Sequence, residues 1–122
     1  EFLFAITIIG EISAPSHDEI ISLGERLSAA LLAAHLNDQG REASFVDLSH
    51  IFERGSFDHI GTEFFEKVEH ALSEKLAPLF AKKKVPVLTG FFGKIPGGIV
   101  HAVGRGYSDF TAALTGSAFE AE

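Results

Sequence analysis

Short runs of almost uniformly apolar residues alternate along this chain with longer segments in which apolar residues recur every three or four positions. The short runs predict buried strands, which we place at residues 3–9, 45–48 and 85–88. The longer segments predict three helices: from Pro15 and Ser16 to a stop at Gly40, from Phe64 to the neighbourhood of Pro78, and from about Ser108 onward. This alternation predicts an α/β fold with a largely parallel sheet and helices on its faces.

The first of these helices has both a start signal and a stop signal. Ser16 and Glu19 have the spacing of a capping box, in which each side chain satisfies a free backbone N–H of the first turn. Gly40 is typical of a helix end. Between these signals, apolar residues form a stripe: Ile20, Leu23, Leu27, Ala30, Leu31 and Ala34. The stripe predicts an amphipathic helix.

Composition excludes several classes of function. The chain has 122 residues, 46% of them hydrophobic, so we expect a single domain that can bury a core. Its formal net charge of -7 argues against non-specific nucleic-acid binding, which needs a basic surface. The absence of cysteine excludes disulfides, thiolate metal sites and a cysteine nucleophile. Because no apolar run reaches the ~18 residues that span a bilayer, we expect no membrane partner.

The histidines show no metal-ligand spacing. Six of them are spread along the chain. One pair, His59 and Glu63, is four residues apart, but the predicted loop between them argues against chelation. We therefore predict no metal site formed by side chains.

The most informative polar stretch reads GRGYSD and ends at Asp109. Gly104 and Gly106 flank Arg105, so the backbone there can adopt conformations that other residues avoid and can approach a ligand closely. Ser108 is a natural N-cap, which leaves the N–H groups of the next helix turn free to meet an anion. Arg105 can bind a carboxylate through two parallel charge-assisted hydrogen bonds. The pattern leaves open a carboxylate or phosphate site and a glycine-rich turn with a solvated arginine.

A second candidate site lies in the first predicted helix. Glycine in a helix interior is less stable than alanine by ~1 kcal/mol. The presence of Gly24 therefore predicts that another group approaches the helix closely at this position. Glu25 and Ser28 are three residues apart and share a helix face. The carboxylate of Glu25 can receive the ammonium group of an amino acid. The alternative is a surface glutamate on an ordinary helix.

A third candidate site is the stretch PVLTGFFG at residues 86–93, which is followed by Pro-Gly-Gly at 96–98. A buried strand that opens into a glycine-rich turn is where α/β folds hold their ligands. Phe91 and Phe92 can wall such a pocket, although core packing is the alternative role for at least one of them.

Taken together, these stretches resemble the aspartokinases of the amino-acid-kinase family, and in particular their fungal branch. The matching strings, in chain order, are GERLS at 24–28, VDLSH at 46–50, VPVLTGFFG at 85–93, PGG at 96–98 and GRGYSDFTAAL at 104–114. The resemblance covers about residues 16–115. Its most specific part is the last string, in which tyrosine at position 107 is typical of the fungal branch.

The resemblance implies a three-layer α/β/α fold and a kinase that uses ATP and Mg²⁺ to phosphorylate the side-chain carboxylate of L-aspartate. Arg105 would pair with the substrate α-carboxylate, Glu25 would contact its ammonium group, and Ser108 would form a hydrogen bond with the substrate. Asp109 would orient the region of the catalytic lysine. The full set of substrate-binding residues implied in this way is Glu25, Ser28, Gly90, Phe91, Gly93, Gly104, Arg105, Gly106 and Ser108.

The resemblance further implies that residues 1–122 form a single, partial amino-acid-kinase domain. Family members carry a KFGGTS-like loop whose lysine meets the phosphates, a nucleotide-binding strand after the GRGYSD helix, and C-terminal ACT domains, and the sequence contains none of these. We therefore expect no turnover by this chain alone, and a cytoplasmic protein whose sheet edges favour self-association. Two alternatives are a non-catalytic relative that binds an acidic metabolite or acts as a scaffold, and a kinase for another carboxylate, such as glutamate.

Overall fold

The computed structural model describes residues 2–52, 60–92 and 98–121. Five helices and two strands are present in these ranges. In chain order they are α1 (Phe2–Ile9), α2 (Ala14–Asp38), β1 (Ala43–Val46), α3 (Thr62–Ala81), β2 (Val85–Leu88), α4 (Ile99–Ala102) and α5 (Tyr107–Ala118).

The two strands pair in parallel, as the alternation of strands and helices predicts. Their register runs from Ala43 opposite Val85 to Val46 opposite Leu88. Parallel strands need a long crossover connection, and here that connection contains α3. Both strands therefore end at the same edge of the sheet, where the segments that follow them come together.

The sheet carries helices on both faces, because successive side chains of a strand point in opposite directions. On one face, Ala43 and Val87 pack against Ala29 and Ala33 of α2. On the other face lies the larger apolar cluster, built mainly by α3 and α5, against which Val46 and Leu88 pack: Leu48, Phe64, Val68, Leu72, Leu76, Phe91, Phe92, Ile99, Tyr107 and Leu114. The predicted α/β fold with a helix–sheet–helix arrangement is confirmed.

The prediction of a strand at residues 3–9 is wrong, because this segment forms α1. A short run that is apolar throughout has no periodicity with which to distinguish a buried strand from a helix. The helix stops at Gly10, which donates its N–H to the carbonyl of Ile6 at 2.9 Å and has a φ of 71°. A positive φ at this position is readily adopted by glycine.

The start of α2 differs from the predicted capping box. Ser13 is the N-cap, and its hydroxyl accepts a hydrogen bond from the N–H of Ser16 at 3.3 Å. Ser16 therefore lies in the first turn, so the prediction that it caps the helix is wrong. The predicted stop is confirmed, since the helix ends at Asp38 and Gly40 follows with a φ of 76°.

Three other boundaries depart from the sequence predictions. The strand expected at 45–48 lies two residues earlier, whereas β2 has the predicted bounds. Helix α3 continues through Pro78 to Ala81, although the missing N–H of a proline removes one helical hydrogen bond. One more turn brings Phe80 against Phe119, with ring centroids 4.9 Å apart. The short helix α4 was not predicted.

The apolar stripe predicted on the first helix faces outward in this structure. The exposed fractions of Leu23, Leu27 and Leu31 are 55%, 62% and 62%, while the small residues Ala29 and Ala33 contact the sheet. Helix α2 is thus apolar on two sides. Within the ranges that the structure describes, no helix has both the length and the hydropathy to cross a membrane.

Candidate functional site

A cavity of about 560 Å³ lies between α2, the end of β2 and the start of α5. Its lining includes Gly24, Glu25 and Ser28 from α2, Gly90 after β2, and Tyr107 from α5. Within this lining the only charged side chain is that of Glu25. The second and third stretches singled out in the sequence therefore contribute to one cavity.

Glu25 is held in place by the first turn of α5. Its Oε1 accepts a hydrogen bond from the Ser108 hydroxyl at 2.9 Å and another from the Tyr107 hydroxyl at 3.2 Å. Both bonds join residues more than eighty positions apart in the chain. They fasten α5 to α2 and fix the carboxylate at the cavity wall.

Gly90 lies where no other side chain fits. A Cβ at this position would collide with Oε2 of Glu25 and with the Ser108 side chain, whose Cβ would be 2.8 Å away. The glycine thus lets the backbone after β2 approach both α2 and α5. Thr111 reinforces this contact, because its hydroxyl lies 2.6 Å from the carbonyl oxygen of Gly90 and can donate to it.

The two strand ends are joined by a threonine that the sequence reading did not single out. The hydroxyl of Thr89 accepts a hydrogen bond from the Leu48 N–H at 2.9 Å and donates one to the Phe91 carbonyl at 2.9 Å. Thr89 is fully buried, so its hydroxyl satisfies backbone groups that have no access to water. It sets the direction in which the chain turns towards Gly90.

Phe91 and Phe92 both pack in the core. Each is 2% exposed, and neither contributes to the cavity lining described above. Phe91 supports the cavity from behind, because its ring meets the Tyr107 ring edge-on with centroids 6.4 Å apart. Of the two roles left open by the sequence, core packing applies to both phenylalanines.

The remaining α2 residues of the cavity leave room for a ligand. A Cβ added at Gly24 would meet no atom within 4 Å, so no protein group of the described chain makes the close approach that this glycine predicts. Ser28, one turn further along, is exposed at the cavity surface. The open space next to Gly24 belongs to the cavity.

Arg105 and Asp109 lie apart from this arrangement. Both side chains are exposed, and neither is part of the cavity lining. Gly104 has a φ of 84°, which fits the conformational freedom predicted for it, but Gly106 has a φ of -82° and is the N-cap of α5. The prediction that Ser108 caps this helix is wrong, because Ser108 lies in its first turn.

Some predicted residues fall outside the described ranges. They are Gly93, Pro96, Gly97 and His59. The substrate-binding and catalytic roles that the resemblance implies all stay predictions, for the residues around the cavity as well as for Gly93, Arg105, Asp109 and the glycines around Arg105.

The electrostatics of the site follow from this packing. Burial raises the pKa of Tyr107, and the Glu25 carboxylate raises it further by its charge and by accepting the hydroxyl proton in a hydrogen bond; Asp18 adds to the effect. A buried phenol beside carboxylates stays protonated, because ionisation would place like charges together. Tyr107 therefore acts as a hydrogen-bond donor.

A second carboxylate is stabilised in its charged form at the end of β1. Burial alone would raise the pKa of Asp47, but the Ser49 side chain and N–H, together with the charges of Arg26 and His50, hold it below its usual value. The Nε of Arg26 lies 2.8 Å from Oδ2 of Asp47, so this pair ties α2 to the strand end.

The sequence reading missed Tyr107, Thr89 and Thr111 as contributors to the site. Tyr107 and Thr111 belong to the GRGYSDFTAAL string and Thr89 to the VPVLTGFFG string, so a signal was present. What the strings could not show is which residue each hydroxyl meets.

Comparison with known proteins identifies the family. The profile of the amino acid kinase family matches residues 6–122. The aspartokinase of Schizosaccharomyces pombe is 42% identical over 115 residues, which is 93% of this chain and 22% of that protein. The aspartokinase of Saccharomyces cerevisiae is 42% identical over 125 residues, and that of Candida albicans is 35% identical over 133 residues; each alignment covers 100% of this chain and 24% of the relative.

The chain thus spans less than a quarter of the length of the curated relatives that it matches. No solved structure matches it. The family profile nevertheless covers nearly the whole chain, and the α/β architecture agrees with it. This chain belongs to the amino acid kinase family.

Proposed function

We propose that this chain supplies the L-aspartate-binding part of an aspartokinase, which transfers a phosphoryl group from ATP to the side-chain carboxylate of L-aspartate. Similarity to three fungal proteins named aspartokinase supports the activity. The observation that carries the proposal is the position of Glu25, held at a cavity wall between Gly90 and the first turn of α5.

The chemistry of the cavity suits the ammonium group of an amino acid. Glu25 is only partly buried and its Oε1 already accepts two hydrogen bonds, so its negative charge is oriented before any ligand arrives. A positively charged donor gains more from such a carboxylate than a neutral donor does. The Ser108 hydroxyl donates its proton in a hydrogen bond to Glu25, so its oxygen can accept a hydrogen bond from the same ammonium group.

The opposite end of the substrate is assigned to Arg105. Its guanidinium can take a carboxylate through two parallel hydrogen bonds, and its exposed position leaves it free to do so. Gly104 and Gly106 give the turn around it the backbone freedom to adjust. In this proposal Asp109 orients the region of the catalytic lysine, and Ser28 and Gly93 complete the walls of the site.

ATP and Mg²⁺ enter the proposal through the family alone. A cavity whose charged group is a carboxylate repels a phosphate chain. The described residues also bring together no group of three or more acidic or histidine side chains that could hold a metal ion. These residues therefore fit the amino-acid substrate and do not fit the nucleotide, so we propose that other segments of a longer protein bind the nucleotide.

The second candidate is a non-catalytic assembly or metabolite-binding module, and one observation favours it. The outward leucines of α2 are more than half exposed, and an exposed apolar stripe of this kind is typical of a surface that contacts another protein. Self-association and a cytoplasmic location both remain proposals.

Isothermal titration of the 122-residue chain with L-aspartate tests the first proposal. We expect saturable binding, and Glu25→Gln should weaken it by about 1.5–3 kcal/mol because a charge-assisted contact is lost. Glu66→Gln is the matched control, since Glu66 is exposed on α3, and it should bind like the unmodified chain. Equal affinity in Glu25→Gln would contradict the assigned role.

Two further titrations separate the alternatives. L-glutamate in place of L-aspartate shows whether the site prefers the shorter acid, and tighter binding of L-glutamate would favour a kinase for that substrate. A folded chain that binds neither amino acid and sediments as an oligomer would favour the assembly module.

A further inference from the structure

A second carboxylate of α2 meets the same segment that Glu25 meets, at a different point. Asp18 is 5% exposed, and its Oδ2 accepts a hydrogen bond from the N–H of Ile99 at 2.7 Å. Ile99 is the first residue of α4 and is fully buried. A buried carboxylate bonded to a backbone N–H across 81 residues of sequence is a specific tertiary contact.

The backbone of the partner segment is shaped around this carboxylate. Gly98, just before Ile99, has a φ of 87°, which favours glycine. A Cβ at Gly98 would lie 2.6 Å from Oδ2 of Asp18 and 3.3 Å from its Cγ. Both the conformation and the space at Gly98 therefore require glycine, and the reason for the lack of space is Asp18.

Asp18 and Glu25 act on one continuous segment. They are seven residues apart, or about two turns, and so lie on the same side of α2. Asp18 holds the segment at Ile99, where α4 begins, and Glu25 holds it at Tyr107 and Ser108, where α5 begins. The intervening turn carries Arg105.

We propose that Asp18 is a positioning residue of the amino-acid site, which clamps the Gly98–Ile99 backbone onto α2 and thereby sets how Tyr107 and Ser108 meet Glu25. The ligand assignment rests on the proposed function, but the clamp does not. Asp18 touches no ligand in this scheme and acts through α4 and the turn that follows it.

Tyr107 is a built-in reporter of the clamp. It is the only tyrosine of the chain, which also has no tryptophan, so tyrosine absorbance reports on this one side chain. The pKa of Tyr107 is raised by burial of the side chain, then by Glu25 and by Asp18. If the contact between α5 and α2 changes, the burial of Tyr107 and its interaction with Glu25 change with it.

The test compares Asp18→Ala with Asp18→Asn by spectrophotometric pH titration of Tyr107. Both variants lose the charge of Asp18, whereas only Asp18→Ala also loses the acceptor for the Ile99 N–H. We expect the tyrosine of Asp18→Ala to ionise at a clearly lower pH than that of Asp18→Asn, because loss of the clamp exposes Tyr107 and lengthens its bond to Glu25. Asp38→Ala, at the exposed end of α2, should leave the titration unchanged.

The same variants are titrated with L-aspartate. We expect Asp18→Ala to lose affinity for L-aspartate at least about fivefold and Asp18→Asn to retain most of it, because a buried backbone donor is left unsatisfied only in Asp18→Ala. Equal tyrosine titrations for Asp18→Ala and Asp18→Asn would overturn the clamp, as would identical affinities. If the unmodified chain binds no L-aspartate, the proposed function fails, while the tyrosine titration still decides on the clamp.

Loss of folding in Asp18→Ala would be visible by far-ultraviolet circular dichroism. In that case the Tyr107 titration of Asp18→Asn is compared with that of Glu25→Gln. Because Asp18→Asn keeps the acceptor for the Ile99 N–H, we expect it to shift the Tyr107 titration less than Glu25→Gln does. A shift as large as that of Glu25→Gln would overturn the proposal.

Discussion

The two ends of the proposed amino-acid site are built in opposite ways. At the Glu25 end, α2, the turn after β2 and the first turn of α5 converge, and the carboxylate is fixed by two hydroxyl groups and by the close backbone at Gly90. At the Arg105 end, a single turn presents an exposed side chain outside the cavity lining. The Glu25 end is therefore organised by the fold of this chain, whereas the Arg105 side chain becomes ordered only when a ligand binds it.

The two ends should contribute differently to the free energy of ligand binding. A group held in its bound geometry by the fold loses little conformational entropy when the ligand arrives, whereas a long exposed side chain must be ordered at that moment. Glu25 should therefore govern whether a ligand enters the cavity. Arg105 should add affinity for ligands that carry a carboxylate.

The largest effect is expected at the organised end, from Gly90→Ala. The added methyl group would collide with Glu25 and Ser108, so we expect the free energy of unfolding to fall by about 1–3 kcal/mol and L-aspartate binding to be lost. Chemical denaturation and calorimetric titration measure the two effects. Gly116→Ala on α5 is the matched control, because a methyl group there meets open space. Normal stability in Gly90→Ala would show that the three elements are less tightly packed than described.

An effect on binding alone is expected at the other end, from Arg105→Ala. Loss of a charge-assisted contact should weaken L-aspartate binding by about 1.5–3 kcal/mol. Stability should change by less than about 0.5 kcal/mol, because the side chain is exposed. Arg41→Ala, another exposed arginine, should change neither quantity. A loss of stability in Arg105→Ala would break the contrast between the two ends.

The smallest effect is expected from Gly24→Ala, and it should have opposite signs in two measurements. Alanine favours a helix over glycine by about 1 kcal/mol, and the space around Gly24 is open, so thermal unfolding should shift upwards. Affinity for L-aspartate should fall, because the methyl group enters the cavity. Gly116→Ala should raise stability without that loss, and unchanged affinity in Gly24→Ala would place the ligand elsewhere.

The sequence predicted the parts of this fold that have a local cause. The bounds of β2 follow from a run of four apolar residues that begins after three lysines and ends before Thr89 and Gly90, and the end of α2 follows from Gly40. The stretch at 3–9 failed because nothing local separates a short apolar helix from a strand. The apolar stripe on α2 correctly predicted a helix but indicated the wrong side of it as buried. The side that contacts the sheet carries Ala29 and Ala33, because these small residues let the helix approach the sheet more closely than leucines would.

The site was predictable in its residues and not in its contacts. The motifs at 24–28 and 85–93 contain Glu25, Ser28 and Gly90, and these three residues lie around one cavity. The bonds that organise it join positions 41, 81 and 83 residues apart, through Thr89, Asp18 and Ser108. No periodicity or capping pattern contains that information, because it depends on how helices and strands pack after they have formed.

Whether this cavity is the amino-acid site can be tested by following the single tyrosine while L-aspartate is added. Near-ultraviolet circular dichroism reports on the surroundings of Tyr107, which lines the cavity and bonds to Glu25. We expect a saturable change in this signal with the same midpoint as the heat of binding, and no such change in Glu25→Gln at the same concentrations. Binding heat without any response of Tyr107, or an undiminished response in Glu25→Gln, would contradict the assignment of this cavity as the amino-acid site.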